Sequence, residues 1–210
     1  MSSIEGARER KRCNFITAEG IDGCGKTTIS KFISEWLRSE GSDVVLTVEP
    51  TTTWIGESVK RGFSEGVHAF TEALLFMADR AQHTLQIEEW ISEGKIVVSD
   101  RYIDSTLAYQ GASLQAEGME DAVEWLKNAS APYVLVPDIT FLLQVDPEIA
   151  MQRISNRSKI TKFEKLDFLV EVDSVYKSLS ESDERFRVVN ASQTLDGVKE
   201  DVVRILESEF

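Results

Sequence analysis

Gly20-Ile21-Asp22-Gly23-Cys24-Gly25-Lys26-Thr27 has the spacing G-x-x-x-x-G-K-[ST], that of a phosphate-binding loop. Its flanks decide how it is read. Cys13-Asn14-Phe15-Ile16-Thr17-Ala18, just ahead of it, is a short apolar run of strand type. From Thr27 to Arg38, Ile29, Phe32, Ile33, Trp36 and Leu37 recur at helical spacing. A strand, a glycine-rich turn and a helix in that order form the context in which this spacing holds a phosphate. Glycines let the backbone wrap an anion without Cβ clashes, and loop amides and the helix N-terminus attract it. Lys26 reaches the β- and γ-phosphates, and the Thr27 hydroxyl is placed to hold Mg²⁺. A chance glycine-rich turn before an ordinary helix is the bland alternative, and the flanking elements speak against it.

Strand and helix patterns alternate beyond the loop. Asp43–Val48, Lys95–Asp100, Asp138–Val145 and Arg185–Asn190 read as four further strands. Helical spacing predicts segments from Ile55 to Phe63, Ala69 to Ser92, Ser105 to Glu117, Glu120 to Asn128, Pro147 through Ile154, Glu164 to Leu179 and Leu195 to Leu206. Along Ala69–Ser92 the apolar positions include Leu74, Leu75, Met77, Ala78, Leu85, Ile87 and Ile91. Strands alternating with helices give a parallel sheet covered on both faces. Ligands of such sheets bind beyond the carboxyl ends of the strands. Those ends carry Glu19 and the loop, Glu49-Pro50, Asp100-Arg101-Tyr102, Gln144 with Asp146, and Asn190-Ala191-Ser192-Gln193.

A chain of 210 residues, 42% apolar and 28% charged, is expected to be one globular α/β domain, or one with a small insertion, with a buried core. No apolar run is long enough for a membrane span, and the N-terminus has no signal-peptide core. Residues 1–12, with Arg8-Glu9-Arg10-Lys11-Arg12, read as a solvated or frayed tail, a nucleic-acid-binding arm being the sharper but less favoured alternative. Cys13 and Cys24 lack metal-ligand spacing and suit a reducing cytoplasm. The net charge of −13 argues against a nucleic-acid partner. It also requires that any nucleotide site be locally basic.

Three groups of residues answer that requirement. Asp100-Arg101 puts a carboxylate, suited to Mg²⁺, beside a guanidinium suited to phosphate, a structural salt bridge at a strand end being the bland alternative. Phe76 and Arg80 lie one helical turn apart, so a ring and a guanidinium share a face. Either they bind a base and its phosphate, or Phe76 is core and Arg80 surface. Arg153, Arg157, Lys159 and Lys162 are four cations within ten residues, which either close over a triphosphate or form a solvated face.

Taken together, these motifs resemble those of the thymidylate kinase family of nucleoside monophosphate kinases. The matching pieces are Glu19 to Thr28, Glu49-Pro50-Thr51, Leu74-Leu75-Phe76 through Arg80, Asp100-Arg101-Tyr102, Ser105, Tyr109-Gln110-Gly111, Asp146-Pro147 and Lys162-Phe163-Glu164. They cover residues 13 to about 207. The resemblance implies a P-loop three-layer α/β/α fold with a five-stranded parallel sheet, a kinase domain over 13–210 and a short lid near 153–163. It implies transfer of a phosphoryl group from ATP to dTMP with Mg²⁺, within dTTP synthesis, by a cytoplasmic homodimer. Gly20, Ile21, Asp22, Gly23, Cys24, Gly25, Lys26, Thr27 and Thr28 would then hold the ATP phosphates. Arg153, Ser192 and Gln193 would edge the adenine. Asp22, Glu49, Phe76, Arg80, Arg101, Ser105, Thr106, Tyr109 and Gln110 would line the dTMP site, with Phe76 stacked on thymine and Tyr109 crowding the 2′ position. Thr27 and Asp100 would serve the metal. The catalytic cations would be Lys26, Arg101, Arg153 and Arg157, because Gly23 leaves no arginine within the loop. Val48 and Thr51-Thr52 depart from the arginine and Gly-Gly that many relatives carry.

A switch GTPase is the reading from another class. Its Asn-Lys-x-Asp segment has no counterpart here, the nearest string being Glu164-Lys165-Leu166-Asp167.

Overall fold

The computed structural model describes residues 13–155 and 162–210. Five strands, β1 (Phe15–Glu19), β2 (Val44–Val48), β3 (Ile96–Asp100), β4 (Ile139–Gln144) and β5 (Phe186–Asn190), form one parallel sheet in the order β2-β3-β1-β4-β5. The helices are α1 (Lys26–Ser39), α2 (Trp54–Glu65), α3 (Ala69–Ser92), α4 (Ile103–Ala116), α5 (Ala122–Ser130), α6 (Pro147–Ser155), α7 (Lys162–Ser182) and α8 (Leu195–Glu209). Every element expected from the sequence is present. The five-stranded parallel α/β fold is therefore as read.

β1, β3 and β4 are buried and mostly apolar because helices cover both faces, and the polar Thr17 and Thr140 pair with each other at 2.9 Å. Ile16, Val97, Val98, Phe141 and Leu142 are all buried, and the Phe15 and Tyr102 rings meet edge to face at 4.9 Å. α1 lays Ile29, Ile33 and Leu37 on the sheet, each spaced one turn, and half-buries Phe32 and Trp36. Full burial of each such side chain contributes about 1.5–3 kcal/mol. α2 begins at Thr53, whose hydroxyl accepts Gly56 N–H. A Cβ at Gly56 would fall 2.0 Å from the Thr51 carbonyl, so glycine is what lets the turn after Pro50 close on α2.

Two findings differ from the sequence reading. The first concerns the ends of α4, which starts at Ile103, two residues early. Tyr102 serves as N-cap, with its N–H given to Glu19 rather than to the helix. The second concerns α3, where Leu74 and Leu85 are exposed (55% and 61%) while Asp79, Arg80, His83 and Thr84 are buried. Apolar residues occur all round this helix, and the buried face is selected by polar partners on β2 and α4.

β1 is the central strand, and its register sets Ala18 beside Asp100 on β3 and Glu19 beside Leu142 on β4. The carboxyl ends of β1 and β3 therefore open on one place.

Candidate active site

The loop between β1 and α1 has positive φ at Gly20 (135°), Gly23 (85°) and Gly25 (105°). That geometry turns successive amides inward. α1 starts on Gly25 with no side-chain cap and no acid in its first turn, which leaves its amides and dipole directed at the loop. These are the requirements of a polyphosphate. Lys26 is buried, and its Nζ donates to the Gly20 and Ile21 carbonyls at 2.8 and 2.9 Å. Burial, then Arg101, holds the Lys26 pKa below its ordinary value; Cys24, Asp22 and Asp100 act the other way. Cys24 is buried, with its Sγ 3.7 Å from Lys26 Nζ.

The Thr27 hydroxyl donates to Asp100 Oδ2 at 2.6 Å. A hydroxyl and a carboxylate converging at a helix N-terminus beside a phosphate loop offer hard oxygen donors. Mg²⁺ in such sites takes only one or two protein oxygens, the rest coming from water and phosphate. The two residues predicted for the metal thus fit it. Among the described residues, no group of three or more His, Cys, Asp or Glu forms a larger metal cluster.

Gly23 explains itself. A Cβ there would meet the Ala150 carbonyl at 2.6 Å, so α6 excludes any side chain, arginine included, from this point of the loop. α6 instead presents Arg153, which donates to Gly23 O at 3.4 Å and to Ala191 O at 3.1 Å. It bridges the phosphate loop to the turn holding Ser192 and Gln193. Ser192 is exposed, and Gln193 is tied to Asp201 at 2.6 Å. Arg157 and Lys159, and with them most of the expected lid, lie outside the described residues.

On the other side of the loop two polar groups assemble. In the first, Arg101 pairs with Asp22, donates to the Ser105 hydroxyl at 3.1 Å and lies over the Tyr109 ring at 5.2 Å. The Tyr109 hydroxyl accepts Asp22 N–H at 2.7 Å. Burial works against the Arg101 charge, but Tyr109, Asp22, Tyr176 and Glu19 outweigh it and its pKa is raised. Burial also pushes the Tyr109 hydroxyl up, against the pull of Arg101. Both groups keep their protons at neutral pH.

The second group centres on Arg80, which is 1% exposed, so the reading of it as a surface residue is excluded. It donates to Glu49 Oε2 at 2.6 Å, to the Thr106 hydroxyl at 2.8 Å and to the Tyr102 carbonyl at 2.9 Å. Its Nε is buried with no partner. His83 extends the chain, meeting Glu49 at 2.8 Å and the Thr47 hydroxyl at 2.8 Å. Asp79 accepts both the N–H and the hydroxyl of Thr51, at 2.7 and 2.6 Å, and so ties the segment after Pro50 to α3. That is what Thr51 does in place of the glycine of many relatives. Val48 is 41% exposed, and nothing in the structure explains its replacing an arginine. Phe76 is half-buried, and Gln110 donates to Glu72 at 2.8 Å.

The sequence reading missed Asp79, His83 and Tyr176 as parts of this site. Asp79, Arg80, His83 and Thr84 lie one turn apart on α3, a polar stripe in an otherwise apolar-rich helix, which was the available signal.

Glu19, at the end of β1, carries the largest carboxylate perturbation. Burial, then Asp104, pushes its pKa from 4.5 to about 7, against Ser105, Arg101 and Tyr102 N–H. The folded chain therefore keeps a proton that the unfolded chain releases. This contribution to stability is complete below about pH 4.5 and is lost as pH rises through about 7, on the order of 3 kcal/mol. Urea midpoints should show the wild type losing stability relative to Glu19→Gln across that window. Parallel pH profiles would contradict the assignment.

A parallel sheet with a phosphate loop at its central strand, and two arginine–carboxylate pairs beside that loop, define a P-loop nucleotide-binding fold. A family model described as thymidylate kinase matches residues 18–202. A probable thymidylate kinase of Methanococcoides burtonii is 42% identical over 195 residues, covering 92% of this chain and 96% of the relative. That of Methanosarcina barkeri is 40% identical over 200 residues (93% and 97% covered). That of Thermococcus onnurineus is 39% identical over 209 residues (93% and 98% covered). The chain belongs to the thymidylate kinase family and is a nucleoside monophosphate kinase. Among the described residues no helix is long and apolar enough to cross a membrane.

Proposed function

We propose that this chain transfers the γ-phosphoryl group of ATP to dTMP, giving ADP and dTDP for dTTP synthesis. The observation that carries the reading is the pairing of two sites across one loop. The positive-φ glycines with buried Lys26 on one side of the loop suit a polyphosphate, and Arg101 paired with Asp22 on the other suits a second phosphate. An acceptor that is already a phosphate needs no general base, so the work of the site is alignment and charge neutralisation. Lys26 leaves the Gly20 and Ile21 carbonyls for the transferring group, and Arg101 leaves Asp22 for the acceptor. Mg²⁺ held by Thr27 and Asp100 would supply further charge neutralisation. Arg80, braced by Glu49 and Thr106, faces the acceptor base with Phe76. Ser105 and Gln110 complete the α4 wall, and Tyr109 crowds the sugar. Arg153, Ser192 and Gln193 edge the adenine.

A panel of nucleoside monophosphates tests this by coupled ADP release. dTMP should give the highest kcat/KM, dUMP less, ribonucleotides little, and Tyr109→Ala should narrow the gap against a 2′-hydroxyl. A higher kcat/KM for AMP, CMP or GMP would overturn the acceptor assignment.

The lid over 153–163 supplies the charge that Gly23 cannot. Arg157→Ala or Arg153→Ala should lower kcat by roughly 10² to 10³ with little change in KM. Wild-type kcat in both variants would shift that role to Arg101 or Arg80. We also read the chain as a cytoplasmic homodimer. α2 and α3 leave Phe63, Leu74 and Leu85 exposed, the kind of apolar surface a second copy covers. Light scattering at the dimer mass is the expected result, and the monomer mass would refute it.

A further inference from the structure

Glu19 is fully buried, and its carboxylate accepts from three donors on two helices and the turn before one of them. Oε1 takes Tyr102 N–H at 2.7 Å. Oε2 takes the Ser105 hydroxyl at 2.6 Å and the Tyr176 hydroxyl of α7 at 3.0 Å. Arg101 immediately precedes the first of these anchors. Its backbone has φ 73°, a left-handed conformation that a residue with a Cβ holds only when its surroundings impose it. Its guanidinium donates to the same Ser105 hydroxyl that donates to Glu19. Glu19 thus grips the turn just after Arg101 and, through one hydroxyl, the side chain itself.

We propose that Glu19 is a positioning residue for the transfer: its buried carboxylate fixes the Arg101 turn and aims its guanidinium at the acceptor phosphate. This rests on the assignment of Arg101 to that phosphate. The charged and titratable groups around Glu19 are Asp104 on α4, Arg101 before it, Arg80 on α3 and Tyr176 on α7. Asp104 is itself held by Arg185 at 2.6 and 2.8 Å. As pH rises through about 7 the group becomes a full carboxylate, a stronger acceptor for its donors, and Arg101 is held more firmly.

Steady-state kinetics of the full chain with ATP and dTMP test this, using wild type, Glu19→Gln, Tyr176→Phe and Arg101→Ala. An amide cannot accept as the carboxylate does, so Glu19→Gln should raise the acceptor KM about 10-fold and the ATP KM less than about twofold. The ratio of wild-type to Glu19→Gln kcat/KM for the acceptor should rise with pH and level above about 7, since ionisation of the acceptor is common to both enzymes. Tyr176 is assigned no contact with either substrate, and its hydroxyl lies 3.0 Å from both Glu19 and Ser105. Tyr176→Phe should nevertheless raise the acceptor KM about threefold, and it decides the matter if Glu19→Gln fails to fold. An unchanged acceptor KM in Arg101→Ala removes the Arg101 assignment and the inference with it. A raised KM in Arg101→Ala, with Tyr176→Phe and Glu19→Gln unchanged or raising both KM values alike, overturns the inference alone.

Discussion

Lys26→Ala should lower kcat at least about 100-fold while the chain remains folded. Lys26 Nζ is buried and rests on the Gly20 and Ile21 carbonyls, the first two residues of the phosphate loop. Burial works against its charge, and a bound anion would favour it. In the proposed reaction the ammonium would exchange those carbonyl oxygens for phosphoryl oxygens whose negative charge is being redistributed. Interactions of that kind act most in the transition state, so kcat falls more than KM rises. The loss of two hydrogen bonds to carbonyls should also lower the melting temperature, and circular dichroism separates that from unfolding. Near-normal turnover by folded Lys26→Ala protein would remove the loop from the mechanism.

Arg80→Met should destabilise the chain by about 3–5 kcal/mol and abolish measurable turnover at ordinary acceptor concentrations. The Arg80–Glu49 pair is buried on both sides, with side chains 1% and 2% exposed. Burial works against the Arg80 charge, and Glu49 outweighs it. Removing the guanidinium leaves Glu49 with His83 alone, and frees the Thr106 hydroxyl and Tyr102 carbonyl of a donor. The second change, Glu49→Gln in the Arg80→Met background, should recover part of the stability because no unpaired charge is then buried. It should recover no activity, since the acceptor's base has lost its partner. A chemical denaturation loss below about 1 kcal/mol for Arg80→Met would show that the pair is not the brace of the cleft.

The phosphate loop, the alternation of strands and helices and the carboxyl-end residues were legible because they are local. The loop is a contiguous spacing, and each strand is a short apolar run between turns. What periodicity could not supply was the buried face of α3. Leu74 and Leu85 have the chemistry of core residues, yet the helix turns Asp79, Arg80 and His83 inward. That choice depends on Glu49, Thr51, Thr47 and Thr106, which lie 26 to 36 residues away in sequence. Polar partners of that kind outweigh apolar spacing only once the sheet has brought them together. Glu19 was visible as a strand-end carboxylate, but its link to Arg101 runs through Ser105 and Tyr176, 86 and 157 residues on. Gly23 was readable as a missing arginine. That α6 forbids any side chain there follows from the Ala150 carbonyl alone.

The central claim is that one loop serves a triphosphate donor and a monophosphate acceptor of one particular base. Mixing the chain with ATP, Mg²⁺ and dTMP and separating the nucleotides by anion exchange tests it most directly. The account predicts dTDP and ADP appearing in equal amounts, with no ADP formed when dTMP is left out. ADP released without dTDP, or at the same rate without acceptor, would contradict it and make the loop that of a nucleotide hydrolase or switch.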